Sequence, residues 1–91
     1  MNYKIVQTDA YRKKLVKFFK KHSDLLGQYA KTIKLLELDP FHPSLRLHKL
    51  QGKLGEYYSV SITMKYRVIL EIIIKDKELM LLDIGSHDDV Y

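Results

Sequence analysis

Two short stretches carry the residue types that could do chemistry. Arg67 lies inside the apolar run YRVIL (66–70), and His87 and Tyr91 lie in the final stretch DIGSHDDVY (83–91). A guanidinium is permanently charged, and its planar fork matches phosphate oxygens. Imidazole titrates near neutrality and can move a proton, and a tyrosine can stack on a base or join proton transfer. Because the ribose 2′-hydroxyl supplies its own nucleophile, this set suits metal-independent cleavage of RNA.

Plainer interpretations of the same residues stay open. Arg67 could simply form a surface ion pair with Asp83. Isolated histidines are usually surface or capping residues, and we expect this of His22 and His42. His48, in LHKLQGK, is a second candidate for proton transfer.

Other chemistries have weaker support. His87, Asp88 and the following aspartate could coordinate a cation, but no helical HxxxH motif or distant carboxylate pair completes a ligand set. The four glycines form no phosphate-binding loop, and Ser59 and Ser61 lack the context of a nucleophile elbow. We therefore expect neither a metal nor a small-molecule cofactor.

The elements that must position these residues follow from hydrophobic periodicity. A short strand over 2–7 precedes two amphipathic helices over 9–22 and 25–38, and the prolines of DPFHP (39–43) end the second helix. The period then changes to two, which predicts strands over 45–50, 56–63, 66–74 and 78–85. Connections this short join antiparallel neighbours. The predicted fold class is α+β, of the order β-α-α-β-β-β(-β), with a helical hairpin packed on one face of an antiparallel sheet.

Strand parity predicts what the other, open face carries. A three-residue turn TMK (63–65) sets Ser61 opposite Arg67, and the turn KDK (75–77) treated alike sets Arg67 opposite Gly85. Arg67, Asp83 and His87 then share the open face with Ser59 and Ser61. The same register assigns three side chains of the last strand to the core: Met80, Leu82 and Ile84.

Composition bounds the class of protein. Residues 1–91 are expected to form a single domain, with 46% hydrophobic and 30% charged residues. The chain has no cysteine, no leader-like start and no run long enough to span a membrane, so a reducing cytoplasm is the expected location. A net charge of +5 favours a polyanionic partner, although many domains are mildly basic for no specific reason.

The order of elements, together with LHKLQGKLGEYYSVSI, YRVIL and IGSHDDVY, resembles the RelE/ParE superfamily of bacterial toxins. The resemblance covers almost the whole chain and is strongest to the YafQ-like and RelE-like branches. It implies the toxin of a type II toxin-antitoxin module: a ribosome-dependent endoribonuclease that cuts mRNA and is held inactive by a cognate antitoxin.

The resemblance also implies roles for individual residues. Arg67 matches the arginine that stabilises the phosphate, His87 the C-terminal catalytic histidine, Tyr91 the terminal aromatic, and His48 a histidine of the YafQ-like branch. Other positions near the RNA depart from the family pattern. The departures are Ser59, Ser61 and Lys65, which replace catalytic side chains of relatives. We expect RNA contacts from these three residues and also from the basic Lys49 and Lys53.

Two other functions remain open at this point. The ParE branch inhibits DNA gyrase by binding it and lacks the cleavage residues, and a nucleic-acid-binding module without toxicity is a third possibility. The basic residues of the first helix could contact ribosomal RNA, or they could be a solubilising face.

Overall fold

The computed structural model describes residues 2–52 and 56–90. Three helices and five strands occur in this part of the chain, with single turns of 3₁₀ helix at Ser23–Leu25 and Pro43–Leu45. In chain order the elements are β1 (Lys4–Gln7), α1 (Asp9–Lys21), α2 (Leu26–Leu38), β2 (His48–Lys49), β3 (Tyr58–Ser61), β4 (Tyr66–Ile73), β5 (Glu78–Ser86) and α3 (His87–Val90).

The five strands form one sheet in the order β1-β5-β4-β3-β2. Adjacent strands from β2 to β5 are antiparallel to one another, as the short connections predict. In contrast, β1 pairs in parallel with β5. Helices α1 and α2 intervene between β1 and the other strands, which gives the chain the long crossover that a parallel pair needs. The α+β fold class is therefore confirmed, with a mixed sheet.

The two long helices pack on one face of the sheet. Thr8 caps α1, since its Oγ1 accepts a hydrogen bond from the backbone N–H of Tyr11 at 3.0 Å. After α2, Asp39 leaves the helical conformation and Pro40 follows, so the helix cannot continue. The core between helices and sheet consists of Tyr11, Phe18, Tyr29, Leu36, Leu45, Val60, Ile62, Val68, Leu70, Leu79, Leu81 and Ile84.

The predicted register is confirmed around Arg67. Arg67 is opposite Ser61 on one side and Gly85 on the other, and Ile69 is opposite Asp83. Opposite residues in a sheet point to the same face. Arg67, Ser61 and Ile69 therefore lie on the face away from α1 and α2.

The predicted core side chains of β5 are wrong in two of three cases. The register shifts by one residue in the middle of the β4–β5 pair, which leaves Leu82 without an opposite residue. Such a bulge reverses which side chains face the core. Leu79 and Leu81 are consequently fully buried, Ile84 is buried as predicted, and Met80 and Leu82 are only half-buried.

The face away from the long helices is partly covered by the C-terminal end of the chain. Val90 of α3 packs with Leu50 and Ile69 in a second, smaller buried cluster, beside the half-buried Tyr57. The sequence prediction left this face open, so the small apolar cluster is a correction. Across the described residues, the helices are too short or too polar to cross a membrane.

Candidate functional site

Arg67 is held in place by a neutral acceptor. Its Nη1 donates a hydrogen bond to the Oγ of Ser59 at 3.1 Å, and Ser59 is completely buried beneath it. Asp83 does not pair with Arg67; its Oδ1 lies 3.4 Å from the Nζ of Lys14 on α1. The positive charge of Arg67 is therefore oriented by a hydroxyl, and no carboxylate of the described residues pairs with it.

His87 begins α3, next to the turn between β3 and β4. Its side chain is 62% exposed, and its Nδ1 lies 3.8 Å from the Oδ1 of Asp88. Its backbone N–H donates to the carbonyl of Lys65 at 3.2 Å, which ties the start of α3 to that turn. The imidazole therefore lies at the surface, where it can reach a bound molecule.

The docking of α3 sets the face on which His87 stands. Val90 packs against Ile69, and Ile69 lies two residues from Arg67 on the same strand face. The structure therefore brings the element that carries His87 to the face of Arg67. No role was predicted for Val90 from the sequence. An apolar residue three positions after His87 in a polar tail nevertheless indicates a one-turn helix that packs on the sheet.

The remaining predicted site residues divide between the two faces. His48 is exposed and lies opposite Ser59, so it shares the face of Arg67, and its Nδ1 is 3.4 Å from the carbonyl oxygen of Arg46. Lys49 lies opposite Tyr58, a residue that packs against the helix-side core, so its pairing directs it to the other face.

Two further predicted residues cannot be placed. Lys53 and Tyr91 lie outside the described residues. Lys65 is exposed in the turn between β3 and β4, and its Nζ lies 5.4 Å from the ring centre of Tyr66.

A basic groove runs between α1 and β5. Lys14, Lys17 and Lys21 line it at a spacing of three and four residues, and Asp83 and Gly85 form the opposite wall. The groove has a volume of about 430 Å³. These three lysines of α1 share one concave surface. Their charge therefore differs from that of the other basic residues of the helix, which is general surface charge.

Aromatic side chains pack against one another at one end of this groove. His22 lies 4.6 Å from the ring centre of Phe18 and 4.7 Å from that of Tyr66. Phe18 and Tyr66 also meet edge to face at 5.4 Å. His22 thus has a packing role, in agreement with the plain interpretation of this histidine.

An apolar depression lies on the Arg67 side of the sheet. It has a volume of about 240 Å³, with apolar walls from Tyr57, Ile69, Leu82 and Val90, and the ion pair of Lys14 and Asp83 also lines it. The described residues contain no group of three or more histidine or acidic side chains that could hold a metal ion. The arrangement therefore offers a cation, a surface imidazole and an apolar depression at one side of the sheet.

Several solved structures similar to this chain are toxins. A variant of YafQ from E. coli superposes with a TM-score of 0.80 at 21% sequence identity, covering 98% of both chains. The E. coli DinJ-YafQ toxin-antitoxin complex contains a chain with a TM-score of 0.77 at 20% identity, covering 100% of this chain and 99% of the other. A YoeB/ParE toxin from Agrobacterium tumefaciens gives 0.75 at 18% identity, covering 92% and 98%. No protein-family model and no curated protein sequence matches.

The chain accordingly has the same fold as YafQ and as the YoeB/ParE toxin. The similarity to YafQ confirms, at the level of fold, the resemblance inferred from the sequence motifs.

Proposed function

We propose that this protein is the toxin of a type II toxin-antitoxin module and acts as an endoribonuclease that cleaves mRNA on the ribosome. The observation that carries the proposal is the guanidinium of Arg67, held by the buried Ser59 and free of any carboxylate partner among the described residues. It lies on the sheet face to which α3 brings His87. The similarity in fold to YafQ and to a YoeB/ParE toxin supports the proposal.

Cleavage would proceed by attack of the ribose 2′-hydroxyl on the adjacent phosphorus. The 2′-hydroxyl loses its proton to a base, for which His48 is the candidate, and the oxygen displaces the 5′-oxygen of the next nucleotide. Arg67 stabilises the charge on the pentacoordinate phosphorus. His87 donates a proton to the leaving 5′-oxygen, which leaves a 2′,3′-cyclic phosphate and a new 5′-hydroxyl end.

The surrounding surface would hold the RNA. The groove lined by Lys14, Lys17 and Lys21 offers closely spaced cations for backbone phosphates. Lys53 and Lys65 would add contacts near the cleavage site, and Tyr91 would stack on a base. Lys49 is directed to the other face of the sheet, so the predicted contact of Lys49 with RNA at the cleavage site is not part of the proposal. The apolar depression beside Tyr57 could take an unstacked base. Ser59 has no exposed surface, so we assign it the role of positioning Arg67.

A cognate antitoxin is the proposed protein partner. One of the similar structures is a toxin-antitoxin complex, and the net charge of +5 favours an acidic binding segment. We place both proteins in the bacterial cytoplasm, where mRNA on the ribosome is the substrate.

Primer extension on mRNA after induction of the protein in a bacterium tests the activity. Arg67→Ala should lower cleavage by about 10²–10³-fold, because it removes the charge that stabilises the transition state. His87→Ala should lower it by about 10²–10⁴-fold through loss of the general acid. New 5′ ends should appear with the wild type and be strongly reduced in both variants, and growth arrest should be relieved in parallel.

His42→Ala is the matched control for the histidine variant. His42 is exposed in the loop after α2, where its Nδ1 bonds to Ser44, and it lies outside the proposed machinery. It should leave cleavage unchanged, and circular dichroism should show native folds for all three variants. Growth arrest without new 5′ ends would refute the nuclease and favour a toxin that acts by binding a protein, as ParE-type gyrase inhibitors do.

A further inference from the structure

The ion pair of Lys14 and Asp83 gives the apolar depression on the Arg67 side of the sheet a polar edge. The Nζ of Lys14 and the Oδ1 of Asp83 are 3.4 Å apart, and the two side chains are 50% and 31% exposed. Both residues line the depression, whose other walls are apolar or aromatic. The depression therefore offers an ammonium donor and a carboxylate acceptor side by side.

Asp83 keeps hydrogen-bonding capacity beyond this ion pair. Its Oδ1 accepts a hydrogen bond from the backbone N–H of Ile84 at 2.8 Å and faces Lys14. Among the residues that the structure describes, no hydrogen bond reaches Oδ2. A carboxylate has about four acceptor sites and an ammonium has three donors, so both groups can also bond to a molecule in the depression.

The charges decide which part of a ligand fits here. The carboxylate of Asp83 repels a phosphate, whereas the guanidinium of Arg67 attracts one. An apolar side chain would cover the ion pair without hydrogen bonding to it, which is unfavourable. An uncharged aromatic ring with N–H donors and a carbonyl satisfies the ion pair and packs on Tyr57 and the apolar walls. The depression therefore suits a nucleobase.

The distance between the depression and Arg67 matches the size of one nucleotide. Ile69 lies two residues from Arg67 on the same strand face, which is about 7 Å along the strand. One ribose separates the base of a nucleotide from its phosphate, a comparable span. Because Asp83 is directly opposite Ile69, a base that lies over Ile69 turns one edge toward Asp83.

The order of donors and acceptors selects guanine among the four bases. The Watson–Crick edge of guanine has two neighbouring N–H donors, at N1 and N2, next to the O6 acceptor. A carboxylate can accept both N–H groups while an ammonium donates to O6. Adenine, cytosine and uracil each have an N–H donor on this edge, but none has two neighbouring ring and amino donors. They leave part of the polar edge unpaired, which lowers their affinity.

We propose that Asp83 and Lys14 determine the base specificity of this protein by binding the guanine of a nucleotide whose phosphate contacts Arg67. Asp83 accepts from N1–H and N2–H, Lys14 donates to O6, and Tyr57 packs on the ring. That the nucleotide belongs to substrate RNA rests on the proposed function. Recognition of the base does not need cleavage and can be measured without it.

Titration of the full-length protein with guanosine 3′,5′-bisphosphate, followed by amide chemical shifts, tests the proposal. The probe has a phosphate on each side of the ribose and no phosphodiester bond, so it is not cleaved. Saturable shifts should appear at Ile69, Leu82 and Asp83. Adenosine 3′,5′-bisphosphate should bind at least about tenfold more weakly. Inosine 3′,5′-bisphosphate lacks only the 2-amino group and should also bind about tenfold more weakly than the guanosine probe.

Asp83→Asn should abolish the preference for guanine. The amide keeps the shape of the side chain and an oxygen acceptor for the Ile84 N–H, but its NH₂ group cannot accept from the base. The ratio of guanosine to adenosine affinity should fall from about ten to about one. A merely structural role of Asp83 would weaken both nucleotides equally. Asp76→Asn is the matched control, since Asp76 is exposed in the turn between β4 and β5, and it should keep the ratio.

Lys14→Met tests the donor to O6. It should weaken binding of the guanosine probe by about tenfold, because a charge-assisted hydrogen bond is lost. Lys13→Met is its control, since Lys13 is an exposed lysine of the same helix and is not part of the wall of the depression. Its affinity should equal that of the wild type.

Three results would overturn the base site. They are equal affinity for the guanosine and adenosine probes, an unchanged affinity ratio in Asp83→Asn, and no saturable shift with either nucleotide. The last result is expected if an apolar side chain of a protein partner fills the depression instead.

The base site and the nuclease fail separately. New 5′ ends in primer extension without a preference for guanine next to the cut would overturn the base site and leave the nuclease intact. Selective binding of guanine by a chain that produces no new 5′ ends would refute the nuclease and retain the base site.

Discussion

Two serines on one strand face show how environment decides the role of a residue. Ser59 and Ser61 are both buried on β3, and the sequence analysis treated them alike as RNA contacts. Ser59 accepts a hydrogen bond from Arg67, whereas the Ser61 hydroxyl has no partner in the described structure. The first therefore orients the guanidinium of Arg67, whereas the second is a buried polar group whose hydrogen bond is not made in the described structure.

This difference predicts opposite effects on stability. Ser59→Ala should lower the free energy of unfolding by about 1–2 kcal/mol, because it leaves a half-buried N–H of Arg67 without its acceptor. Ser61→Ala should leave it unchanged or raise it slightly, because it removes a buried hydroxyl that has no partner. Urea unfolding of the three proteins at one pH measures both effects, and equal destabilisation by the two substitutions would contradict the assignment.

At the scale of elements, α3 connects the core to the site. It has only four residues, and a helix this short is not stable by itself. Its position depends on the contacts of Val90 with Leu50 and Ile69, and on the bond from the His87 N–H to Lys65. A small apolar cluster thus determines where the proposed general acid stands.

Val90→Ala should release α3 without unfolding the protein. We expect the amide hydrogen of His87 to exchange at least about tenfold faster, because the burial of about two methyl groups, worth roughly 1.5 kcal/mol, is lost from the contact that holds α3. Cleavage should decrease in parallel. Hydrogen exchange followed by NMR measures the first effect.

Val16→Ala is the control for this experiment. Val16 is 60% exposed on α1 and lies outside the cluster, so its replacement should change neither quantity. Unchanged exchange at His87 in Val90→Ala would show that the backbone bond alone fixes α3.

At the scale of the whole molecule, two tyrosines join the helices within the core. The hydroxyls of Tyr11 on α1 and Tyr29 on α2 are 2.8 Å apart, and Tyr11 has no exposed surface. Burial raises the pKa of both tyrosines above the ordinary value of 10.0. The folded protein therefore keeps these hydroxyls protonated at a pH where the unfolded chain loses the protons.

The folded pKa values are raised, so this contribution to stability is complete below pH 10 and declines above it. Tyr11 should lower the free energy of unfolding by up to about 1.4 kcal/mol per pH unit above pH 10, since it ionises only in the unfolded state, and Tyr29 should contribute in the same direction. Tyr11→Phe should reduce this slope. Urea unfolding between pH 8 and 11 measures it, and an identical slope in Tyr11→Phe would show that Tyr11 does not contribute.

Much of the fold and part of the site could be predicted from local patterns. The change from helical to strand periodicity after residue 38 determines the order of elements, and the short turns determine the register that sets Arg67 opposite Ser61. These features depend on neighbours in the chain, where turn length and side-chain alternation are direct physical constraints. The candidates Arg67 and His87 also follow from residue chemistry alone.

Only the tertiary structure decided the features that depend on residues distant in sequence. The bulge at Leu82 reversed the core assignment within β5, because an unpaired residue is set by the packing of both neighbouring strands. Asp83 forms an ion pair with Lys14, which is 69 positions away in the sequence. Arg67 does not pair with Asp83 and donates a hydrogen bond to Ser59 instead. The sequence by itself determined which side chains could act on a phosphate. Packing between distant elements decided which of them are oriented and which are covered.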